Sequence, residues 1–183
     1  MGAGAATTFT TAADNITFAT ANIHLLDGSN LTVDTGAEGG NITIGAAIAG
    51  TTVETVTLDA GTGSLSVGVI GSGTEIGAVT LGSTDDGAIT LNGAITTDGN
   101  VTITGPVSLA TGAISVTTTN DNITFNDTIN GAQTLTLVAG TGTTTITGAI
   151  GADTALTGLT ITNGTANGTI TLGGNIGDGS GAG

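Results

Sequence analysis

The chain contains no cysteine, lysine, arginine, tryptophan or tyrosine, and only one proline, one methionine and one histidine among its 183 residues. The lack of cysteine excludes disulfides and thiolate metal sites. The lack of basic residues leaves a formal net charge of −14, with no side chain that could neutralise a polyanion. We therefore expect no nucleic-acid partner and no attraction to an anionic membrane surface.

Long hydrophobic runs are also missing. No stretch approaches the roughly 18 apolar residues of a membrane-spanning helix, so we expect no membrane insertion. Residues 1–4 carry no basic region of the kind that opens a secretory signal, and we expect the chain to be a piece of a longer protein. Hydrophobic residues make up 38% of the chain and the mean hydropathy is +0.40, which is too apolar for a disordered coil.

A short repeated unit is present along the whole chain: an apolar residue, a Thr or Ser, and a second apolar residue. Its central residues are Thr17, Thr32, Thr43, Thr57, Ser66, Thr80, Thr90, Thr102, Ser115, Thr124, Thr136, Thr160 and Thr171. This alternation predicts β-strands, and Gly, Asn and Asp between the units predict turns. Long and short gaps alternate, so every second unit is equivalent. The steps from Thr17 to Thr43, Ser66 and Thr90 are 26, 23 and 24 residues.

Two strand types at such a period predict an all-β fold, a parallel β-solenoid (β-helix) of about seven coils with a period near 21–26 residues. The antiparallel sandwich is the alternative, because it also has short strands at close spacing. We assign residues 14–176 to the solenoid, residues 1–13 to a lead-in or partial cap, and residues 177–183 to a Gly-rich tail. Two candidate strands fall within one period at residues 101–123, where we expect an enlarged or irregular coil.

A family resemblance follows from residues 121–125, 130–137, 140–151 and 155–161. They closely resemble the β-strand repeats of large bacterial exoproteins, which are filamentous-haemagglutinin-like and autotransporter-passenger-like adhesins. The similarity covers essentially residues 14–176. It implies a secreted or surface-displayed parallel β-helix that acts as a stalk, an adhesin or a fibre component. It also implies an extracellular or cell-surface location on a bacterium.

Candidates for catalysis and metal binding are few. Asp85 and Asp86 are the closest acidic pair, but adjacent carboxylates at this position are typical of a solvated turn, and we expect no enzyme. His24 has no second His or Cys nearby for a metal site. We expect no cofactor, with calcium as the alternative. Fourteen acids lack a basic partner, and residues 173–179 faintly match a calcium-binding nonapeptide. Asp14, Asp121 and Asp127 lie in turns, where Asx turns are the other interpretation.

Eight asparagines stand in Asn-x-Thr sequons. They are Asn15, Asn30, Asn41, Asn100, Asn122, Asn126, Asn163 and Asn167. They are glycosylation acceptors only if the source organism glycosylates secreted proteins. The other interpretation is an Asn at each corner of the solenoid, where its side chain caps the turn.

Outward rows of threonine are the surface feature that we single out. The candidate residues are Thr57, Thr80, Thr102, Thr136, Thr160, Thr43, Thr90, Thr124 and Thr171. Paired rows in Thr-x-Thr units would resemble the flat faces of ice-binding β-solenoids, whereas high β-propensity alone also explains threonine at these sites.

These observations predict a non-enzymatic extracellular structural or adhesive protein. An ice-binding solenoid and a calcium-stabilised surface repeat remain the alternatives. The partners that we expect are a second copy, stacked end to end through open coil edges, and a host surface or glycan.

Overall fold

A computed structural model describes residues 4–51, 53–84, 87–164 and 168–177. Every regular element in these ranges is a β-strand, and every strand pairing is parallel. The strands form a β-solenoid of about seven turns, which confirms the predicted fold class. With roughly 4.8 Å between neighbouring strands, the stack forms a rod about 35 Å long.

The strands lie in three sheets, A, B and C. Each turn contributes a strand to sheet A and a strand or a single bridge to sheet B, and all but the last described turn contribute a strand or a bridge to sheet C. Sheet A runs the whole length and has eight strands: β1 (Thr7–Thr10), β4 (Leu31–Asp34), β7 (Thr55–Asp59), β9 (Ala78–Gly82), β12 (Val101–Thr104), β15 (Ile123–Phe125), β18 (Thr144–Ile146) and β20 (Ile170–Leu172). Successive strands of sheet A are 21 to 26 residues apart, so the predicted period is correct.

Sheets B and C complete each turn. Sheet B contains β2 (Ile16–Phe18), β5 (Ile42–Ile44), β8 (Leu65–Val67), β10 (Ile89–Leu91), β13 (Val107–Leu109) and β16 (Ile129–Asn130), and is continued by single bridges at Ile150 and Ile176. Sheet C contains β3 (Ile23–His24), β6 (Ile48–Ala49), a bridge at Ile70, β11 (Ile95–Thr97), β14 (Ile114–Thr118), β17 (Thr134–Gly140) and β19 (Gly158–Asn163).

The core consists of straight apolar ladders, because alternate residues of every strand point inward. In sheet A one ladder contains Leu31, Val56, Val79, Val101 and Ile123, each at most 1% exposed. Burying one such side chain contributes about 1.5–3 kcal/mol. The ladders therefore provide the main favourable term for a narrow solenoid.

The coil at residues 101–123 differs from the expectation. Val101 and Ile123 are paired neighbours in sheet A only 22 residues apart, so the predicted enlargement is wrong. The coil is regular and has three strands, β12, β13 and β14. The two competing strands, which begin at Val101 and Ile114, belong to different sheets of the same coil.

Strand β1 lies inside the segment that we assigned to a lead-in, and it pairs in register with β4 along four residues. At the other end, Ile176 still bridges to Ile150. Of the Gly-rich tail at residues 177–183, only Gly177 lies within the described residues.

Candidate functional site

Sheet A has an unbroken outward row of threonines, here called the threonine row. Its members are Thr8, Thr32, Thr57, Thr80, Thr102, Thr124, Thr145 and Thr171, one from each strand. All eight are exposed or half-buried. Because the strands are in register, their hydroxyl and methyl groups repeat at about 4.8 Å along the axis.

The nine threonines singled out from the sequence lie on all three faces. Five of them belong to the threonine row: Thr57, Thr80, Thr102, Thr124 and Thr171. Thr43 and Thr90 lie on sheet B, in line with Ser66. Thr136 and Thr160 lie side by side on sheet C. The nine therefore do not form one surface.

Thr145 in this row was not among the candidates, because its unit is degenerate. The inward residue before it is Thr144, where other units have an apolar side chain. Thr144 is fully buried, and its hydroxyl donates a hydrogen bond of 2.9 Å to the Asn163 side-chain oxygen. An inward polar residue with a half-buried hydrogen-bond partner thus hid a strand from the hydrophobic pattern.

The second outward row of sheet A, two residues along each strand, is chemically mixed. It runs Thr10, Asp34, Asp59, Gly82 and Thr104. The Asp34 carboxylate accepts a hydrogen bond of 2.7 Å from the Gly36 N–H, and Asp59 accepts one of 2.9 Å from the Gly61 N–H. Both aspartates form Asx turns that end their strands. A two-row Thr-x-Thr lattice does not extend along sheet A.

Asparagine side chains connect neighbouring coils at the corners. In each case the side-chain oxygen accepts the main-chain N–H of a residue one coil further along, at 2.7–2.9 Å. The pairs are Asn15 with Asn41, Asn41 with Ser64, Asn30 with Thr55, Asn100 with Asn122, and Asn122 with Thr143. These five sequon asparagines therefore do cap corners, as the structural interpretation of the sequons predicts.

Glu54 is a buried carboxylate that sequence reasoning missed. It lies in the corner before β7 and is 0% exposed. One carboxylate oxygen accepts the Thr51 N–H at 2.6 Å, and the other accepts the Thr51 hydroxyl. Burial raises the pKa of the Glu54 carboxyl, but hydrogen bonds from Thr51, from its own main chain and from Gly28 outweigh it, so that the pKa lies below its ordinary value. Glu54 is therefore held as an anion without a basic partner.

Glu54 has only a weak signal in the sequence. It follows Thr51 by three residues and immediately precedes a strand unit, as do many solvated turn residues of this chain. The main chain of Gly28 in the preceding coil and of Gly77 in the next coil both hydrogen-bond to Glu54, and this contact between coils is not visible in the local sequence.

The structure gives little support to the candidate metal and catalytic residues. His24 is exposed on β3, beside Ala49 of the next coil. Within the described ranges, no group of three or more acids or histidines is placed to hold a metal ion. Asp85, Asp86, Asp178 and Gly179 lie outside those ranges.

Of the three turn aspartates, Asp14 and Asp121 accept a threonine hydroxyl through the main-chain carbonyl, whereas the Asp127 carboxylate accepts the Thr128 N–H. None of these three bonds is the i to i+2 contact of an Asx turn.

The last coil presents apolar ladder residues to solvent. Ile170, Leu172 and Ile176 are 45%, 39% and 60% exposed, although they continue inward ladders. In the coil before, Ile146 and Ile150 occupy the same ladders and are 0% and 2% exposed. The difference arises because these last residues have a neighbouring coil on one side only within the described chain. We call Ile170, Leu172 and Ile176 the C-terminal end face.

The first coil shows the same feature at the other end. Phe9 is 37% exposed, while Val33, its partner in the next strand, is fully buried. The ring of Phe9 packs edge-to-face against Phe18, with 5.2 Å between centroids. Thr7, Phe9, Ile16 and Phe18 form what we call the N-terminal end face.

Comparison of the chain with protein-family models, curated proteins and solved structures found no match. Among the described residues, no helix is long and apolar enough to cross a membrane.

Proposed function

We propose that this chain is a non-enzymatic structural and adhesive β-solenoid, a segment of an extracellular stalk, surface fibre or filament. The observation that carries the proposal is the continuous stack of sheet A, in which eight strands are joined in register along the rod. A load applied along the axis is shared by main-chain hydrogen bonds and buried ladders at every level. The resemblance to bacterial adhesin repeats supports the same function.

The surface chemistry supports this role. Because the chain carries acidic residues and no Lys or Arg, the sides of parallel rods repel one another. Rows of threonine and serine between the acids present hydroxyl groups that can hydrogen-bond a host surface or a glycan. The partners that we propose are such a surface and a second copy of the chain.

Pulling on single molecules tests the structural role. Because the chain has no cysteine, Gly4→Cys and Gly177→Cys create unique attachment points at the two ends of the described solenoid. We expect unfolding in steps of one coil, and 21 to 26 residues released at about 3.5 Å per residue give about 70–90 Å per step. Nearest-neighbour coupling between coils predicts this stepwise behaviour.

The control is the same molecule pulled in concentrated urea, where a smooth extension without force peaks is expected. A smooth extension in buffer as well would contradict a load-bearing role, because the coils would then resist no more than an unfolded chain.

Ice binding is a second candidate, and the threonine row is the observation that favours it. Measurement of thermal hysteresis tests it directly. For an ice binder, Thr102→Lys in the row abolishes hysteresis, whereas Thr136→Lys on sheet C leaves it intact. Both threonines are half-buried strand residues, so the pair is matched. Absence of hysteresis in the unmodified chain removes this candidate. Asp34 and Asp59 in the adjacent row favour the structural function.

A further inference from the structure

We propose that copies of this chain join head to tail, with the C-terminal end face of one copy seated on the N-terminal end face of the next. The contact joins two different faces and repeats in one direction without closing into a ring, so it builds a single-stranded filament. This inference rests on the proposed structural function and specifies its partner, a second copy, and its geometry.

The two end faces continue the same ladders. Along sheet A, the order within every strand is inward, outward, inward, and it ends with Ile170, Thr171 and Leu172. The first strand offers Thr7, Thr8 and Phe9 in the same order. Stacked in register, Leu172 meets Phe9 in the interior while Thr171 continues the threonine row into Thr8.

Sheet B matches in the same way. Its innermost ladder begins with Ile16 and Ile42 and ends with Ile150 and Ile176. A second copy placed one coil beyond Ile176 brings its Ile16 onto that ladder. Ile176 is the most exposed of the end-face residues, so it gains the most burial from the contact.

The sense in which the chain winds around the rod favours a head-to-tail arrangement over a symmetric one. The chain visits sheets A, B and C in that order in every turn. A copy placed head to tail keeps this direction and superimposes all three sheets. A two-fold dimer through the C-terminal end face reverses the direction, so that sheet A can lie on sheet A only if sheet B lies over sheet C.

The distribution of charge favours contact between copies through the ends of the rod over contact through its sides. Residues 168–177 of the last coil contain no ionisable side chain, and residues 4–24 of the first coil contain only Asp14 and His24. Most of the net charge of −14 therefore lies on the middle of the rod. Screening by salt at about 0.1 M, where the Debye length is roughly 10 Å, should promote assembly by weakening repulsion between whole copies.

Complementation of two end-face variants tests the proposal. Ile176→Asp disables the C-terminal end face and Phe9→Asp disables the N-terminal one, since each places a carboxylate inside the contact. Thr80→Asp is the control, because it adds the same charge at an exposed outward position of sheet A, in the middle of the rod and away from both end faces. The purified chains are compared by sedimentation velocity and electron microscopy at micromolar concentration in near-physiological salt.

We expect filaments from the unmodified chain and from Thr80→Asp, and monomers from each end-face variant alone. A mixture of the two variants should give particles of twice the chain mass of 17.2 kDa and no larger species, because each variant keeps one intact face. Circular dichroism establishes that each variant is folded, and Thr7→Asp replaces Phe9→Asp if the latter unfolds.

Three results would overturn the proposal: a monomeric unmodified chain, filaments from Ile176→Asp, or dimers formed by one variant alone, which would show a symmetric contact. None of these results affects the stepwise unfolding of single molecules, so a failure of head-to-tail joining is distinguishable from a failure of the structural function.

Discussion

Replacing Glu54 by Gln removes the buried negative charge with almost no change in shape. Both carboxylate oxygens accept hydrogen bonds from Thr51, one from its N–H and one from its hydroxyl. The amide of Gln keeps one oxygen and turns the other acceptor into a donor. If the remaining oxygen faces the Thr51 N–H, the new amide N–H groups face the Thr51 hydroxyl, which must then turn to accept.

The size of the effect follows from these contacts. A hydrogen bond to a charged group contributes a net of about 1.5–3 kcal/mol, and dehydration of the anion offsets part of it. We expect Glu54→Gln to lower the free energy of unfolding at pH 7 by about 1–3 kcal/mol, since one such bond is lost and another is weakened.

The pH dependence has a definite sign. The pKa of Glu54 in the folded protein lies below its ordinary value of 4.5, so the unfolded chain binds the proton more readily. The stabilisation is fully present above pH 4.5 and is lost as the pH falls below 4.5 and through the folded pKa. The difference between the unmodified chain and Glu54→Gln should therefore be largest at neutral pH and shrink on acidification.

Urea unfolding followed by circular dichroism at a series of pH values measures both quantities. The matched control is Glu38→Gln, the same chemical change at an exposed turn residue, which should change stability by less than about 0.5 kcal/mol. Equal stability of the Glu54→Gln and Glu38→Gln variants at neutral pH, or a Glu54 effect that grows on acidification, would refute the reasoning.

Two further predictions concern the corners, and urea unfolding tests both. Gly71 and Gly73 have nearly the same backbone, with φ of +80° and +81°, but a Cβ at Gly71 would overlap the Thr96 carbonyl oxygen, whereas at Gly73 it would meet open space. Gly71→Ala should therefore be the more destabilising of the two by at least about 2 kcal/mol, and equal losses would show that φ alone matters. Asn122→Ala should cost about 0.5–1.5 kcal/mol by removing an acceptor for the next coil, while Asn122→Asp, which keeps the acceptor oxygen, should cost less.

The first half of the solenoid could be derived from the spacing of its strand units. The predicted equivalence of Thr17, Thr43, Ser66 and Thr90 is confirmed, since these residues are stacked neighbours in sheet B. The other strand type corresponds to sheet A. The derivation works because both sheets there carry full alternation of inward and outward residues.

The third sheet could not be found in the same way. In the first three coils it consists of the two-residue strands β3 and β6 and of single bridges at Ile70 and Ile76, segments too short to be recognised as strand units. From β14 onward the repeat unit moves to sheet C, while sheet B shrinks to a two-residue strand and then to single bridges. The similar segments 42–48 and 123–129 consequently occupy different sheets, sheets B and C for the first and sheets A and B for the second.

The sequence by itself determined that the chain is all-β, which residues point inward in strands with a complete apolar–Thr/Ser–apolar unit, and how many residues make a turn. These are local properties, set by two-residue alternation and by Gly, Asn and Asp in the turns. The tertiary structure alone decided which strands share a sheet, because corner length and hydrogen bonds between coils set the register. That register assembles the threonine row, buries Glu54 beneath its neighbours and leaves Ile176 exposed, although nothing in the short segments around these residues distinguishes them.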